Sequence, residues 1–194
     1  MNLDRLKSLF GRARSNHSAE IRFFSKKDKN KLNAIFYDQV IEYMELTLCS
    51  TQSRFQSYIT YLFNSDKCVI FSCYDLKGNL AGVTQLKDID FHNRKCEMGG
   101  TWYGKKYQGS GINLACKQLI FQFIFEELVF RRLQFSIDVN NIASIKSMKK
   151  IGARMEGVFR NNWIDLDGNS RDDFYFSIMG QDWSKLKNTI YKGF

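Results

Sequence analysis

The run Gly100-Thr101-Trp102-Tyr103-Gly104-Lys105-Lys106-Tyr107-Gln108-Gly109-Ser110-Gly111-Ile112-Asn113 limits the fold more than any other stretch of this chain. An aromatic, β-like segment ends at Gly104. A basic pair and a glycine-flanked turn follow. Then comes a long apolar stretch, Leu114 to Phe130, without a proline. The pattern reads strand, turn, helix. The first turn of a helix has unpaired N–H groups and a partial positive charge, so it attracts anions such as phosphate. Gly109 and Gly111 let the backbone come close to an anion and adopt positive φ. Lys105 and Lys106 add mobile charge beside the turn. A bare G-x-G is equally consistent with a turn that holds no ligand. Two well-known phosphate loops do not match. Walker A needs G-x-x-x-x-G-K-[ST] and the dinucleotide fingerprint needs a third glycine, whereas Ile112 and Asn113 follow Gly111 here.

Periodicity supplies the rest of the pattern. Leu3, Leu6, Leu9 and Phe10 fall at helical spacing and predict a short amphipathic helix, followed by a polar linker from Arg12 to Ser18. Ile21 to Phe24 reads as a strand, and Lys26 to Leu48 as one or two helices. A further helix starts near Ser50-Thr51-Gln52-Ser53. Cys68 to Tyr74, Leu80 to Phe91 and Lys95 to Tyr103 read as three strands joined by polar turns. The helix over Leu114–Phe130 leads to a strand at Arg132–Val139, the form of a βαβ unit. Ala143 to Ile151 is a short helix closed by Gly152. Met155–Leu166 and Arg171–Met179 form a hairpin around Asp167-Gly168-Asn169.

The chain's 194 residues suffice for one domain with a sizeable core. No apolar run approaches the roughly 18 residues of a membrane span, and the start of the chain lacks a signal-peptide core. The five cysteines are odd in number, contain no C-x-x-C and are accompanied by only two histidines. That argues against a disulfide scaffold and against a metal site, and points to a reduced, cytoplasmic protein. Of the net charge of +9, residues 1–31 carry +6. The expected organisation is a basic, solvated arm over residues 1–19 and one domain over residues 20–194. Such an arm could touch nucleic acid or a ribosome. The simpler expectation is a solubilising arm whose removal (residues 1–18) leaves the domain's ligand binding intact.

Four blocks resemble the Gcn5-related N-acetyltransferase (GNAT) superfamily, and within it the ribosomal-protein N-terminal acetyltransferases. They are Glu97-Met98-Gly99-Gly100-Thr101-Trp102; Tyr107-Gln108-Gly109-Ser110-Gly111-Ile112-Asn113; Asn141-Ile142-Ala143-Ser144 with Ile151-Gly152-Ala153; and Glu156-Gly157-Val158-Phe159-Arg160-Asn161 with Asp167-Gly168 and Arg171-Asp172. The superfamily's coenzyme A loop, Q/R-x-x-G-x-G/A, corresponds to Lys106 through Gly111. The likeness runs from about Ile21 to Trp183. It implies an α/β fold with a mixed, mostly antiparallel central sheet, two splayed parallel strands and flanking helices.

The resemblance also implies a reaction, transfer of an acetyl group from acetyl-coenzyme A to a primary amine. Thr101, Trp102 and Tyr103 would offer a free strand edge to the pantetheine arm. Lys106 and the backbone of Gln108, Gly109, Ser110, Gly111, Ile112 and Asn113 would hold the pyrophosphate. Asn141 would bind the pantetheine arm or cap the next helix. Ser144 would donate to the departing sulfur or act as that cap. Relatives can place a Glu as base where Trp163 stands here. Glu97 is the replacement candidate, with a surface pair to Arg94 or Lys95 as its other reading. The resemblance implies no metal. Two further readings stay open: an acetyl-coenzyme A-binding module that does not catalyse, and a homodimer. The acceptor is not written in the motifs.

Overall fold

Apolar and polar residues alternate along the strands, and this alternation sorts the two faces of the sheet. In Arg132–Asp138, Leu133 and Phe135 are buried on one face while Gln134 and Ser136 lie on the other. A computed structural model describes residues 2–35, 57, 60, 64, 68–164 and 168–194. In chain order these form α1 (Leu3–Phe10), β1 (Ala13–Ser15), β2 (Glu20–Phe23), α2 (Lys26–Ile35), β3 (Cys68–Tyr74), β4 (Leu80–Asp90) and β5 (Lys95–Tyr103). Then follow α3 (Ile112–Gln122), β6 (Arg132–Asp138), α4 (Ile142–Lys150), β7 (Arg154–Ile164), β8 (Ser170–Met179) and α5 (Gly180–Thr189). The strands make one sheet in the order β1-β2-β3-β4-β5-β6-β8-β7. Every neighbouring pair is antiparallel except β5 and β6, which are parallel and joined through α3. The expected mixed sheet with flanking helices is the observed one. The helices expected over residues 36–48 and from Ser50 onward lie outside the described residues, as do residues 165–167 of the β7–β8 turn.

The main core lies between one face of the sheet and α1, α3 and α5. Phe121 of α3 meets Phe135, Trp183 and Tyr191 with ring centroids 6.3, 6.1 and 5.8 Å apart. On the opposite face α2 is fixed by Asp28, which is 3% exposed. Its carboxylate accepts from Ser25 N and Ser25 Oγ at 2.8 Å, from Ser72 Oγ at 3.0 Å and from Tyr74 Oη.

Two expectations need correction. The helix after the glycine turn is shorter than its apolar run. Gly111 caps it with φ 88°, so α3 starts at Ile112. The chain then winds through a wider π turn at Phe123–Glu127 and turns away at Val129, φ 54°. Leu128 and Phe130 are nonetheless buried, because the apolar run reports burial and not helicity.

The N-terminal segment is not a solvated arm. Leu6 and Phe10 are 0% and 2% exposed, and Phe10 packs on Phe23, Phe71 and Phe123 at 4.7, 5.0 and 5.1 Å. The expected linker contains β1, paired with β2. Arg14 lies over the Phe10 and Phe123 rings at 4.8 and 4.6 Å and forms an ion pair with Glu127. Asn16 Nδ2 donates to Ala115 O on α3 at 2.9 Å. Two apolar residues suffice here because an amphipathic helix buries only one stripe.

We therefore expect Phe10→Ala to destabilise the protein by about 3–5 kcal/mol, the usual cost of emptying a buried phenylalanine site. Removal of residues 1–18 should lower the melting temperature rather than leave the remainder unaffected. Thermal unfolding of both variants checks this, and unchanged melting would restore the solvated-arm reading.

A second expectation concerns Lys117 on α3, which is 3% exposed with its ammonium 5.1 Å from the Phe135 centroid. Burial pushes its pKa down to about 8. A Lys pKa lowered in the folded state penalises folding while both states are protonated, and the penalty fades as pH rises from about 8 to about 10.4. Lys117→Met should thus be more stable than the parent by about 3 kcal/mol near pH 7. The difference should shrink in alkali. Denaturant titrations at pH 7 and 10 measure it, and a difference independent of pH refutes the account.

Candidate functional site

β5 and β6 pair only at their beginnings, Lys95 with Arg132, Cys96 with Leu133 and Glu97 with Gln134. Beyond that point β6 continues along β8 and β5 along β4, so the two strands part and the far end of β5 has no strand on that side among the described residues. A bulge deepens the parting, because Val83 pairs with Trp102 and Gln85 with Gly99, setting two residues of β5 against Thr84. Gly100 takes φ 53° in this bulge, and a Cβ there would sit 2.7 Å from Gln85 Nε2. Glycine is required by both the conformation and the close approach.

The glycine turn stands at the open end of the cleft. A short 3₁₀ turn, Lys105–Tyr107, leads into it. Tyr107 Oη donates to Asp75 Oδ2 at 2.9 Å, and Asp75 also accepts from Lys77 N at 3.0 Å and Asn79 N at 2.8 Å. The turn is thereby tied to the β3–β4 hairpin. Desolvation opposes it, but these hydrogen bonds hold the Asp75 carboxyl below its ordinary pKa. Ser110 Oγ donates to Tyr107 O at 2.7 Å. Gln108 N and Ser110 N donate to Lys105 O and Tyr107 O, so two of the six N–H groups expected for an anion are already engaged. Those of Gly109, Gly111 and Asn113 have no partner among the described residues, and Ile112 N reaches Ser110 Oγ only at 3.4 Å. The cap residue Gly111 supplies no side-chain acceptor. This turn is a cradle of free donors. A cavity of about 560 Å³ opens beside it, lined in part by Lys31, Gly104, Lys105 and Lys106.

The other expected residues divide into two groups. Tyr103 points into the core, donating to Cys73 Sγ at 3.5 Å, and burial raises its pKa. Trp102 is 6% exposed, and Thr101 Oγ1 pairs with Thr84 Oγ1 at 2.6 Å. These three can offer a cleft ligand mainly their backbone. Lys106 lies over the Tyr107 ring at 4.7 Å. Asn113 Nδ2 donates to Ser147 Oγ at 3.3 Å, joining α3 to α4, while its Oδ1 is buried with no partner. Asn141 is the cap of α4, accepting from Ser144 N at 3.0 Å. Ser144 is therefore not the cap, and its hydroxyl makes no hydrogen bond among the described residues.

Glu97 is 3% exposed at the apex of the cleft. It pairs with Lys87 Nζ at 3.1 Å and accepts from Gln134 Nε2 at 2.9 Å. The surface pair with Arg94 or Lys95 is not formed. The Lys87 ammonium also sits 5.2 Å from the Trp163 ring centroid, so Trp163, which the resemblance puts at a place that can hold a Glu, is a cation–π partner here. Sequence reasoning missed Lys87 and Gln134, which lie in separate strands and carry no motif.

Residues 21–169 match the family model described as acetyltransferase (GNAT) domain. The chain belongs to the GNAT acetyltransferase family. The protein named "Putative ribosomal N-acetyltransferase YdaF" from Bacillus subtilis (strain 168) is 35% identical over 111 residues, which is 57% of this chain and 59% of that relative's length. Among solved structures, a GCN5-related N-acetyltransferase from Brucella melitensis superposes with a TM-score of 0.85 at 22% identity, covering 93% of this chain and 84% of the other. A spermidine N-acetyltransferase from Vibrio cholerae, solved in complex with CoA and spermine, gives 0.72 at 15% identity, covering 87% and 99%. The two structures establish the likeness of fold. The parted β5 and β6 and the glycine turn lie inside the matched span of this GNAT chain.

Free N–H donors, an orphaned acceptor at Asn113 Oδ1 and an unpaired strand edge suit a ligand with phosphates and amides. Gly111→Asp would place a carboxylate on the cradle and a side chain on a left-handed backbone that costs about 1–3 kcal/mol to hold. Coenzyme A affinity should fall roughly tenfold or more. Calorimetry checks this, and unchanged affinity would remove the turn from the site.

Proposed function

We propose that this protein transfers the acetyl group of acetyl-coenzyme A to a primary amine by direct attack in a ternary complex. The observation that carries the reading is the set of N–H groups of Gly109, Gly111 and Asn113, without partners among the described residues, at the mouth of two parted strands. In this reading the cradle holds the pyrophosphate, and the edge of β5 around Thr101 and Tyr103, which has no strand beside it among the described residues, pairs with the pantetheine amides. Bound there, acetyl-coenzyme A supplies the activated acyl group. Backbone donors at the edge stabilise the negative charge that grows on the carbonyl oxygen. Ser144 donates a hydrogen bond to the departing sulfur. As the C–N bond forms and the C–S bond breaks, the proton shed by the attacking nitrogen ends on that sulfur, whose thiol has an ordinary pKa near 8.5, and Ser144 keeps its own proton overall.

The attacking amine must be neutral. An α-amine, with a pKa near 7.7–8.0, meets that condition at neutral pH more readily than a lysine-like amine near 10.4. We assign Glu97 to holding the apex of the cleft and not to the base. Its two carboxylate oxygens are already engaged by Lys87 Nζ at 3.1 Å and Gln134 Nε2 at 2.9 Å, so it is held as a strut and is not free to meet an incoming amine. The name of the YdaF relative and the spermine in the Vibrio structure make protein N-termini and polyamines the acceptors to try first. Exposed Arg5, Lys7 and Arg12 leave ribosome or nucleic-acid contact as a secondary reading.

A labelled acetyl-coenzyme A screen against N-terminal peptides, polyamines, aminosugars and ribosomal proteins tests the proposal. Acetyl-coenzyme A should bind in the micromolar range, roughly −8 kcal/mol. No binding at millimolar ligand would sink the proposal. Binding without transfer to any amine would favour the non-catalytic module, a reading that Trp163 in the place of a Glu supports.

Ser144→Ala should lower turnover by about 10²-fold, with acetyl-coenzyme A affinity nearly unchanged, since a leaving-group donor acts in the transition state. Equal turnover in parent and variant would reduce Ser144 to a helix residue.

A further inference from the structure

One carboxylate on the cleft face has no assigned task. Asp173 on β8 is 2% exposed and stands opposite Asp138 of β6. Its Oδ2 accepts from Ser136 Oγ on β6 at 2.5 Å and from Asn162 Nδ2 on β7 at 2.7 Å. Both donors are neutral, and both reach the same oxygen. Among the described residues no lysine or arginine pairs with Asp173, and Oδ1 receives no hydrogen bond. The nearby cation is engaged, with Arg171 Nη1 on Asp138 Oδ2 at 2.7 Å. A carboxylate taken out of water without a counter-charge is costly, so a fold that keeps one has something positive to set against it.

Its placement says what that is. Phe135 faces the core under α3, so Gln134 and Ser136 face the other way, together with Glu97, Asn162 and Asp173. Ser136 lies in the part of β6 that has already left β5. The chain spends a bulge on the arrangement. Phe159 pairs with Asp173 and Trp163 with Arg171, so Arg160, Asn161 and Asn162 together oppose Asp172, with Asn161 at φ 51° and its N–H on Asp172 Oδ1 at 2.8 Å. That bulge aims Asn162 at Asp173. On β4, Gln85 flanks the cleft from the other side. It is 3% exposed, and its Oε1 has no hydrogen-bond partner. The cleft face thus presents one fully buried acceptor without a donor, Gln85 Oε1, and beside it a carboxylate oxygen, Asp173 Oδ1, that takes no protein hydrogen bond and is not sealed from solvent.

We propose that the Asp173 carboxylate, held beside the open edge of β6 by Ser136 and Asn162, anchors the acceptor, and that the acceptor is a cationic primary amine. The inference rests on the amine-acceptor reading above and narrows it to protonated amines that can reach the cleft face. The ammonium fills the empty side of Asp173 in a charge-assisted hydrogen bond, and this protonated, bound form gives its proton to water before the neutral nitrogen attacks. Asp173 binds and orients. It is not required to take the proton.

The test is calorimetric and separate from turnover. Full-length protein, free and saturated with coenzyme A, is titrated with spermidine and with a short peptide bearing a free N-terminus. The parent should bind at least one of them. Asp173→Asn keeps the size of the side chain and an acceptor for Ser136 and Asn162. It should weaken that binding tenfold or more, while coenzyme A affinity stays within experimental scatter and the melting temperature does not fall. Asp88→Asn, which removes an exposed carboxylate outside the cleft face, should change amine binding less than twofold. Asn162→Ala removes one of the two bonds that orient Asp173 and should weaken amine binding by a smaller factor, and it carries the test if Asp173→Asn does not fold. Amine binding as tight in Asp173→Asn as in the parent, or no binding of either amine by the parent, overturns the proposal. Failure of the acetyl-transfer reading shows differently, as loss of acetyl-coenzyme A binding or of transfer in a protein that still binds amines through Asp173.

Discussion

The structure depends on where β5 lets go of β6. Three parallel pairs hold the strands together, and at the third, Glu97 and Gln134 join their side chains as well as their backbones. Lys87 adds the third strand to that knot. Past it, each strand follows its outer neighbour. A free strand edge is ordinarily a liability at a protein surface. In the middle of an eight-stranded sheet it becomes a slot for a ligand that can pair with it. The bulge at Gly100 and the left-handed cap at Gly111 widen and finish that slot.

Helices on one face of the sheet keep the slot rigid. The aromatic group of Phe10, Phe23, Phe71 and Phe123 ties the N-terminal helix to α3, and Phe121, Trp183 and Tyr191 tie the C-terminal helix to it. The glycine turn leads into α3, so packing at both chain ends supports its position. Asn113 and Ser147 then link α3 to α4, which carries Ser144. The polar residues of the site gather on the opposite face, where Glu97 is neutralised by Lys87 while Asp173 is met only by neutral donors. This difference between two buried carboxylates is the ground for proposing a structural role for one and a binding role for the other.

Much of this was legible in the sequence. Short apolar runs bounded by polar turns placed β3 and β5 residue for residue, and the order strand, helix, strand dictated a parallel pair reached through α3. The four motif blocks pointed to the GNAT family before any coordinate. Local chemistry was enough for these features, because backbone conformation, turn glycines and helix caps act within a few residues. Even so, locality misled twice. The apolar run after Asn113 looked like one helix, and the basic residues before Ile21 hid a helix whose buried stripe is only Leu6 and Phe10.

Tertiary structure alone decided the partners. Glu97 was expected as a base or a surface carboxylate, and Lys87 and Gln134, from other strands, made it a buried paired one. Asn141 and Ser144 were each readable as a cap, and the hydrogen bond from Ser144 N to Asn141 settled which one caps. In the sequence Asp173 was one of six aspartates that could line an acidic mouth or merely sit in turns and on the surface, and what singles it out comes from Ser136 and Asn162, separated from it by 37 and 11 positions. A charge's role depends on what stands within about 4 Å of it and on how much water is excluded. Neither is written along the chain. Sequence determined which strands and turns would form, and the folded sheet decided which of their side chains would be left with a partner still to find.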